Sequence, residues 1–244
     1  MPDDTNVPAR REFLRKSLTL IPVVTLASTG LPQLAQAAEP AKPAPAPAQG
    51  PATPYSPTLL TPAQWAFVNA ACDRLIPADA TGPGAVESGV PQFLDRHLQS
   101  PYANGAIWYM QGPFLEAAPE FGYQGKLNLR EIIQVGISAF DAACQKSDGK
   151  AFAELPHSRQ EELLKAAEAG KLQLDGISAK LFFTNLLTEV RNGYFADPSY
   201  GANKDMAAWK MIGYPGVRAD FIDWVTVRDT PYPLGPVDLA GRRG

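Results

Sequence analysis

Histidine and cysteine are scarce in this chain, at two residues each, and their scarcity removes most routes to chemistry at once. Covalent haem attachment needs Cys-x-x-Cys-His and a zinc site needs Cys or His ligands at set spacings; neither pattern occurs. There is no Gly-x-Gly-x-x-Gly following a strand for a dinucleotide, and no Gly-x-Ser-x-Gly nucleophile elbow. His97 on a helix and His157 near a helix start read as surface or capping groups. Asp73 and Asp79, around Ile76-Pro77, read as helix-end and turn ligands rather than an acid and base pair. No catalytic, cofactor-binding or metal-ligating residue is expected.

A basic stripe is also lacking, which argues against nucleic acid as a partner. Long apolar runs are missing too. A spanning helix needs roughly 20 strongly apolar residues, and the best stretch, residues 18–34, is interrupted by Pro22, Thr25, Ser28, Thr29, Gly30, Pro32 and Gln33. Any hold on a membrane is expected to come through a partner.

What that weak stretch does have is a context. Paired Arg10 and Arg11, followed by Phe13 and Leu14, precede it, and Ala35-Gln36-Ala37 ends it as a small-x-small cleavage site. The arrangement reads as a twin-arginine export signal over residues 1–37, with Ala9 where Ser or Thr is usual. That route carries folded cargo, so an exported chain either holds a cofactor or travels with a partner that does. The expected location is the periplasm, at the periplasmic face of the inner membrane.

Residues 38–57 hold seven prolines, mostly spaced by alanine. Proline breaks helical hydrogen bonding and favours extended polyproline conformations, so this is expected to be a semi-rigid linker. Residues 58–244 then suffice for one domain. Removing residues 1–37 takes away four basic and three acidic residues, leaving 18 minus 22, a net charge of −4.

The domain reads as mainly α: a single helical domain with long irregular loops rich in aromatics, proline and glycine. Thr61-Pro62 starts a helix with Trp65, Val68, Cys72 and Leu75 or Ile76 on one face, stopped by Pro77. Residues 90–98 form a short helix with Phe93, Leu94 and Leu98 inward. Residues 99–126 are punctuated by proline and glycine and predict an irregular segment with its rings packed. Asn128 caps a helix over 129–146 whose wide apolar face, Val135 included, predicts a central position. Further helices are predicted over 158–169, stopped by Gly170, and over 178–192, stopped by Gly193.

Cys72 and Cys144 fall on different helices. An oxidising compartment permits a disulfide between them; two buried thiols acting as small apolar groups is the other reading. Both stand at this point.

The densest remaining signal runs from Gly193 to Gly216. Turn-forming Gly, Asn and Asp-Pro alternate there with Tyr194, Phe195, Tyr200, Trp209 and Tyr214, a pattern that suits either a core plug or a partner interface.

That run, GYFADPSYGANKDMAAWKMIGYPG, resembles the hallmark segment of the small subunit (subunit 3, or gamma) of bacterial membrane-bound gluconate 2-dehydrogenase. LTPAQWAFVNAACDRLIPAD at 60–79, GPGAVESGVPQFLDRHL at 82–98 and WYMQGPF at 108–114 agree with it, so the resemblance covers nearly all of 59–238. Ala202 departs from the second glycine usual after Tyr200-Gly201. The resemblance implies an accessory subunit without its own redox group or catalytic residues. FAD would sit in a large flavoprotein subunit, haem c in a multi-haem cytochrome subunit, and the export signal would serve the flavoprotein as well. The implied reaction is D-gluconate to 2-dehydro-D-gluconate, with electrons passed to quinone. Tyr194, Phe195, Asp197, Pro198, Tyr200, Gly201, Asn203, Trp209 and Tyr214 are the candidate partner interface. A free-standing periplasmic binding or interaction protein, or the same subunit role in a related sugar or polyol dehydrogenase, are the alternatives.

Overall fold

The computed structural model describes residues 55–115 and 117–244. The export-signal residues Arg10, Arg11, Phe13, Leu14, Ala35 and Ala37, and most of the linker, lie outside them. Among the described residues the fold is helical, with isolated bridges in place of strands.

Each helix is bounded by local chemistry. α1 (Pro62–Leu75) begins with a capping box: Gln64 N–H donates to Thr61 Oγ1, and Thr61 N–H donates to the Gln64 side chain. It ends just before Ile76-Pro77, where the helical conformation is disfavoured. α2 (Val90–His97) follows Gly89, and α3 (Leu129–Asp148) opens on a second capping box between Asn128 and Glu131. Gly149, in the left-handed region, closes α3. α4 (His157–Glu168) stops at Gly170, and α5 (Ala179–Phe195) is capped by Ser178.

Four fully buried rings, Phe67, Phe140, Phe152 and Phe182, make the centre. Phe67 lies 4.7 Å from Phe152 and 5.3 Å from Phe140, and Phe182 lies 6.0 Å from both Phe67 and Phe140. The central helix is α5, which packs against α2, α3 and α4. α3 was the expected centre, but Val135 on its predicted apolar face is exposed.

Gly193 does not stop α5; the helix continues to Phe195. A Cβ at Gly193 would meet Phe93 Cδ1 at 2.6 Å and Val90 Cγ1 at 3.1 Å, so this glycine serves the close crossing of α2 over α5. Gly136 plays the same part on α3, where a Cβ would lie 2.0 Å from Phe182 Cδ2. On α1 the buried face is Phe67, Val68, Ala71 and Cys72; Trp65 is half-buried, beside Tyr55.

The domain is held at both ends by carboxylates. Asp95, fully buried, accepts hydrogen bonds from the backbone N–H of Thr58, Leu59 and Leu60, from Thr58 Oγ1 and from Tyr55 Oη at 2.7–3.0 Å. Burial pushes its pKa up, and these donors outweigh burial, so the net direction is down. Among the described residues, Tyr55, three positions before residue 58, therefore already contacts the domain. At the other end Asp197 Oδ2 accepts Leu239 N–H at 2.8 Å.

The segment between α2 and α3 is irregular as expected, with one short 3-10 turn at Pro119–Phe121. Its rings are not packed inward. Trp108, Tyr109, Phe114, Phe121 and Tyr123 are all exposed, Tyr109 at 84%. Proline and glycine interrupt every helical or strand period here, so no shared face forms to turn the rings toward the core.

Candidate functional site

The exposed rings enclose a cleft. Tyr102, Trp108, Tyr109, Phe114 and Tyr123 wall an opening of about 740 Å³, whose floor is made by Leu129 and Ile132 of α3 and by Asn185, Thr188 and Glu189 of α5. The base of the loop is tied to α3: Arg130 N–H donates to Ala103 O at 2.9 Å, Arg130 Nε to Leu98 O at 2.6 Å, and Asn128 Nδ2 to Asn104 O at 3.2 Å.

An aromatic ladder leads from the core to this cleft. Phe93 stacks on His97 at 5.1 Å, His97 meets Tyr102 at 5.6 Å, and Tyr102 meets Trp108 edge-on at 5.3 Å. His97 is thus half-buried rather than the surface group expected of it.

Beside His97 sits Glu189, 2% exposed. Its Oε1 accepts Asn192 Nδ2–H at 3.1 Å. His97 Nε2 stands 3.2 Å from Oε2 yet is out of line for a hydrogen bond, leaving Oε2 without a partner. Burial pushes the Glu189 carboxyl up to about 7 and the His97 imidazole down. Both groups are driven toward their neutral forms, so this is a contact of weakly charged groups rather than a formed ion pair.

Sequence reasoning passed over Glu189. The signal was present: Phe182, Phe183, Leu186, Val190 and Gly193 define the buried face of α5, and position 189 falls within it at helical spacing. A carboxylate in that register marks either a partner or a site.

The loop from 194 to 216 proves to be divided. Tyr194, Asp197, Asn203 and Trp209 lie inside the fold, while Phe195, Tyr200 and Tyr214 are exposed. Trp209, one of the candidate interface residues, is 5% exposed and its Nε1–H donates to Phe195 O at 2.8 Å; in this fold it is a core residue. Asn203, fully buried at φ 47°, ties the loop by donating to Ala196 O and accepting Ala208 N–H, each at 3.0 Å. Pro198 begins a 3-10 turn capped by Asp197. Gly201 has φ 91° and a Cβ there would meet Arg96 Nη1 at 2.2 Å, whereas Ala202 is accommodated, fully packed, with no left-handed φ.

Cys72 and Cys144 are both buried and unbonded. Burial pushes the Cys72 thiol up and the Cys144 thiol up to about 12, so neither is a thiolate near neutral pH. Asp79 is the turn ligand expected, accepting N–H from Thr81 at 2.7 Å and Gly82 at 3.2 Å, and Asp73 pairs with Arg74. His157 is exposed. Among the described residues no group of three or more His, Cys, Asp or Glu side chains could hold a metal ion, and no helix is long and apolar enough to cross a membrane.

Compared with known proteins, residues 62–216 match the family model described as gluconate 2-dehydrogenase subunit 3. No curated protein and no solved structure matches the chain.

Proposed function

The chain belongs to the gluconate 2-dehydrogenase subunit 3 family, and from that premise we propose that it is the non-catalytic small subunit of a periplasm-facing, membrane-bound complex. In this reading a large subunit holds FAD and oxidises D-gluconate to 2-dehydro-D-gluconate, and a multi-haem cytochrome c subunit delivers the electrons to quinone. The small subunit accompanies the flavoprotein through twin-arginine export and supports its assembly. The observation that carries the reading is the family match, which spans every helix from α1 through α5 and the loop after it.

Exposed apolar surface supports a role in an assembly. Beyond the cleft, Met211, Ile212, Val217, Ile222, Val225 and Val227 are exposed. Apolar side chains exposed in this way are of the kind a partner buries.

Fractionating cells that carry Arg10→Lys with Arg11→Lys tests the proposal. Both this subunit and the flavoprotein are expected to stay in the cytoplasm; a flavoprotein that reaches the periplasm unaided overturns the escort role. The purified mature chain should also lack flavin absorbance and dehydrogenase activity.

A further inference from the structure

An asparagine followed by glycine is prone to close on the next peptide nitrogen, because glycine puts no side chain in the way. The chain contains this dipeptide twice, at Asn104-Gly105 and Asn192-Gly193. Both asparagines are exposed, so geometry rather than access separates them. The fold itself dictates the glycine at 105: its φ is 80°, and a Cβ there would stand 3.2 Å from Met110 Cγ and 3.3 Å from Asn128 Cβ. Asn104 Oδ1 accepts Ala106 N–H at 3.0 Å, which draws the side-chain carbonyl over the Gly105 peptide and supplies a donor where an oxyanion would develop. Gly105 N–H donates to Tyr102 O at 3.3 Å, beyond the usual range and so a weak hold on the nitrogen that must attack. At the other site the Gly193 amide lies inside α5, and Asn192 Nδ2–H donates backwards to Glu189 Oε1 at 3.1 Å. There the nucleophile is fixed in the helix and the electrophile is turned away.

We propose that Asn104 is a modification site, at which the folded domain converts asparagine to aspartate and isoaspartate and thereby loosens the wall of the cleft. Gly105 N loses its proton to water and attacks Asn104 Cγ; the Cγ–Nδ2 bond breaks, and the departing nitrogen takes a proton from water and leaves as ammonia. Water then opens the succinimide at either carbonyl, giving aspartate or, where the chain runs on through Cγ, isoaspartate. Either product adds one negative charge. The isoaspartyl chain is also one methylene longer, at the point where Asn104 O accepts Asn128 Nδ2–H and Ala103 O accepts Arg130 N–H. The space around Gly105 is already tight, so the added length pulls the base of the loop away from α3.

Peptide mass mapping of the purified, folded subunit after ageing at mildly alkaline pH tests this. The amide-to-acid mass gain is expected at Asn104 about ten-fold faster than at Asn192, the scale of one helical hydrogen bond that the second site must give up. It should vanish from the first peptide in Asn104→Gln, an exposed change that leaves the fold intact. Hydrogen exchange on the aged protein should show loss of protection at Arg130 and Trp108, whose amides donate to Ala103 O and Gly105 O. Equal rates at the two sites, or conversion of Asn104 only after unfolding in urea, overturn the proposal. Unchanged protection at Arg130 once conversion is complete overturns the loosening of the cleft wall.

Discussion

Glu189 shows how one buried carboxyl can set a pH dependence. Its folded-state pKa is raised to about 7 by burial, against about 4.3 in an unfolded chain. The neutral form is the one the fold favours, so its stabilising contribution is complete below about pH 4.3 and is lost as pH rises through about 7. Glu189→Gln keeps the shape and removes the titration. The variant should melt above wild type at pH 8, by up to roughly 3–4 kcal/mol of stability, and the gap should shrink toward pH 5. His97 Nε2 stands 3.2 Å away, so the two groups titrate together and the difference between the two curves reports the pair. A constant gap from pH 5 to 8 would contradict this account.

Asp95 has the opposite sign. Its pKa is lowered overall because donated hydrogen bonds outweigh burial, so its contribution is present above about pH 3.9 and disappears as pH falls through the folded value. Asp95→Ala strands the N–H groups of Thr58, Leu59 and Leu60 and should cost about 3 kcal/mol in urea denaturation.

At the scale of helices, two glycines separate packing from conformation. Gly136→Ala places a methyl group on the fully buried ring of Phe182. The overpacking should cost about 1–3 kcal/mol, more than offsetting the roughly 1 kcal/mol that alanine gains in helix propensity. Gly149→Ala meets nothing nearby and carries only the strain of φ 70°, expected at about 1–2 kcal/mol. Thermal melts below wild type for both variants would agree with this; a Gly136→Ala variant that melts above wild type, as helix propensity alone would have it, would refute the close crossing.

The helices themselves were legible because their boundaries are local: Thr61, Asn128 and Ser178 act as caps through atoms only a few residues away. Their roles in the fold were not. That α5 rather than α3 is central depends on Gly136 and Gly193, whose value lies in the rings they admit from other helices. Gly193 looked like a stop because glycine ends helices far more often than it lets them cross. The cleft was legible only in pieces, since the rings of 102–123 were visible while Glu189 lay some sixty residues on in a helix dominated by apolar residues.

Across the whole molecule, the 194–216 loop divides stability from surface. Trp209→Ala empties a buried site and breaks the bond to Phe195 O, so it should cost about 3–5 kcal/mol, read as early melting of the isolated subunit. Tyr200 is exposed, and Tyr200→Ala should change stability by no more than about 0.5 kcal/mol. Loss of flavoprotein recovery with Tyr200→Ala at unchanged melting would place a docking surface on this loop.

The two carboxylates that hold the ends of the domain have a mechanical consequence. A pull on the proline-rich segment is delivered through Thr58, Leu59 and Leu60 to Asp95 on α2, bypassing the first turn of α1. Three backbone bonds loaded together must break before α1 can peel. Thr58, Leu59 and Leu60 should therefore exchange their amide hydrogens at the rate of α2 rather than of a loose chain end, so the first fold contacts met along the chain open no sooner than the helix that holds them.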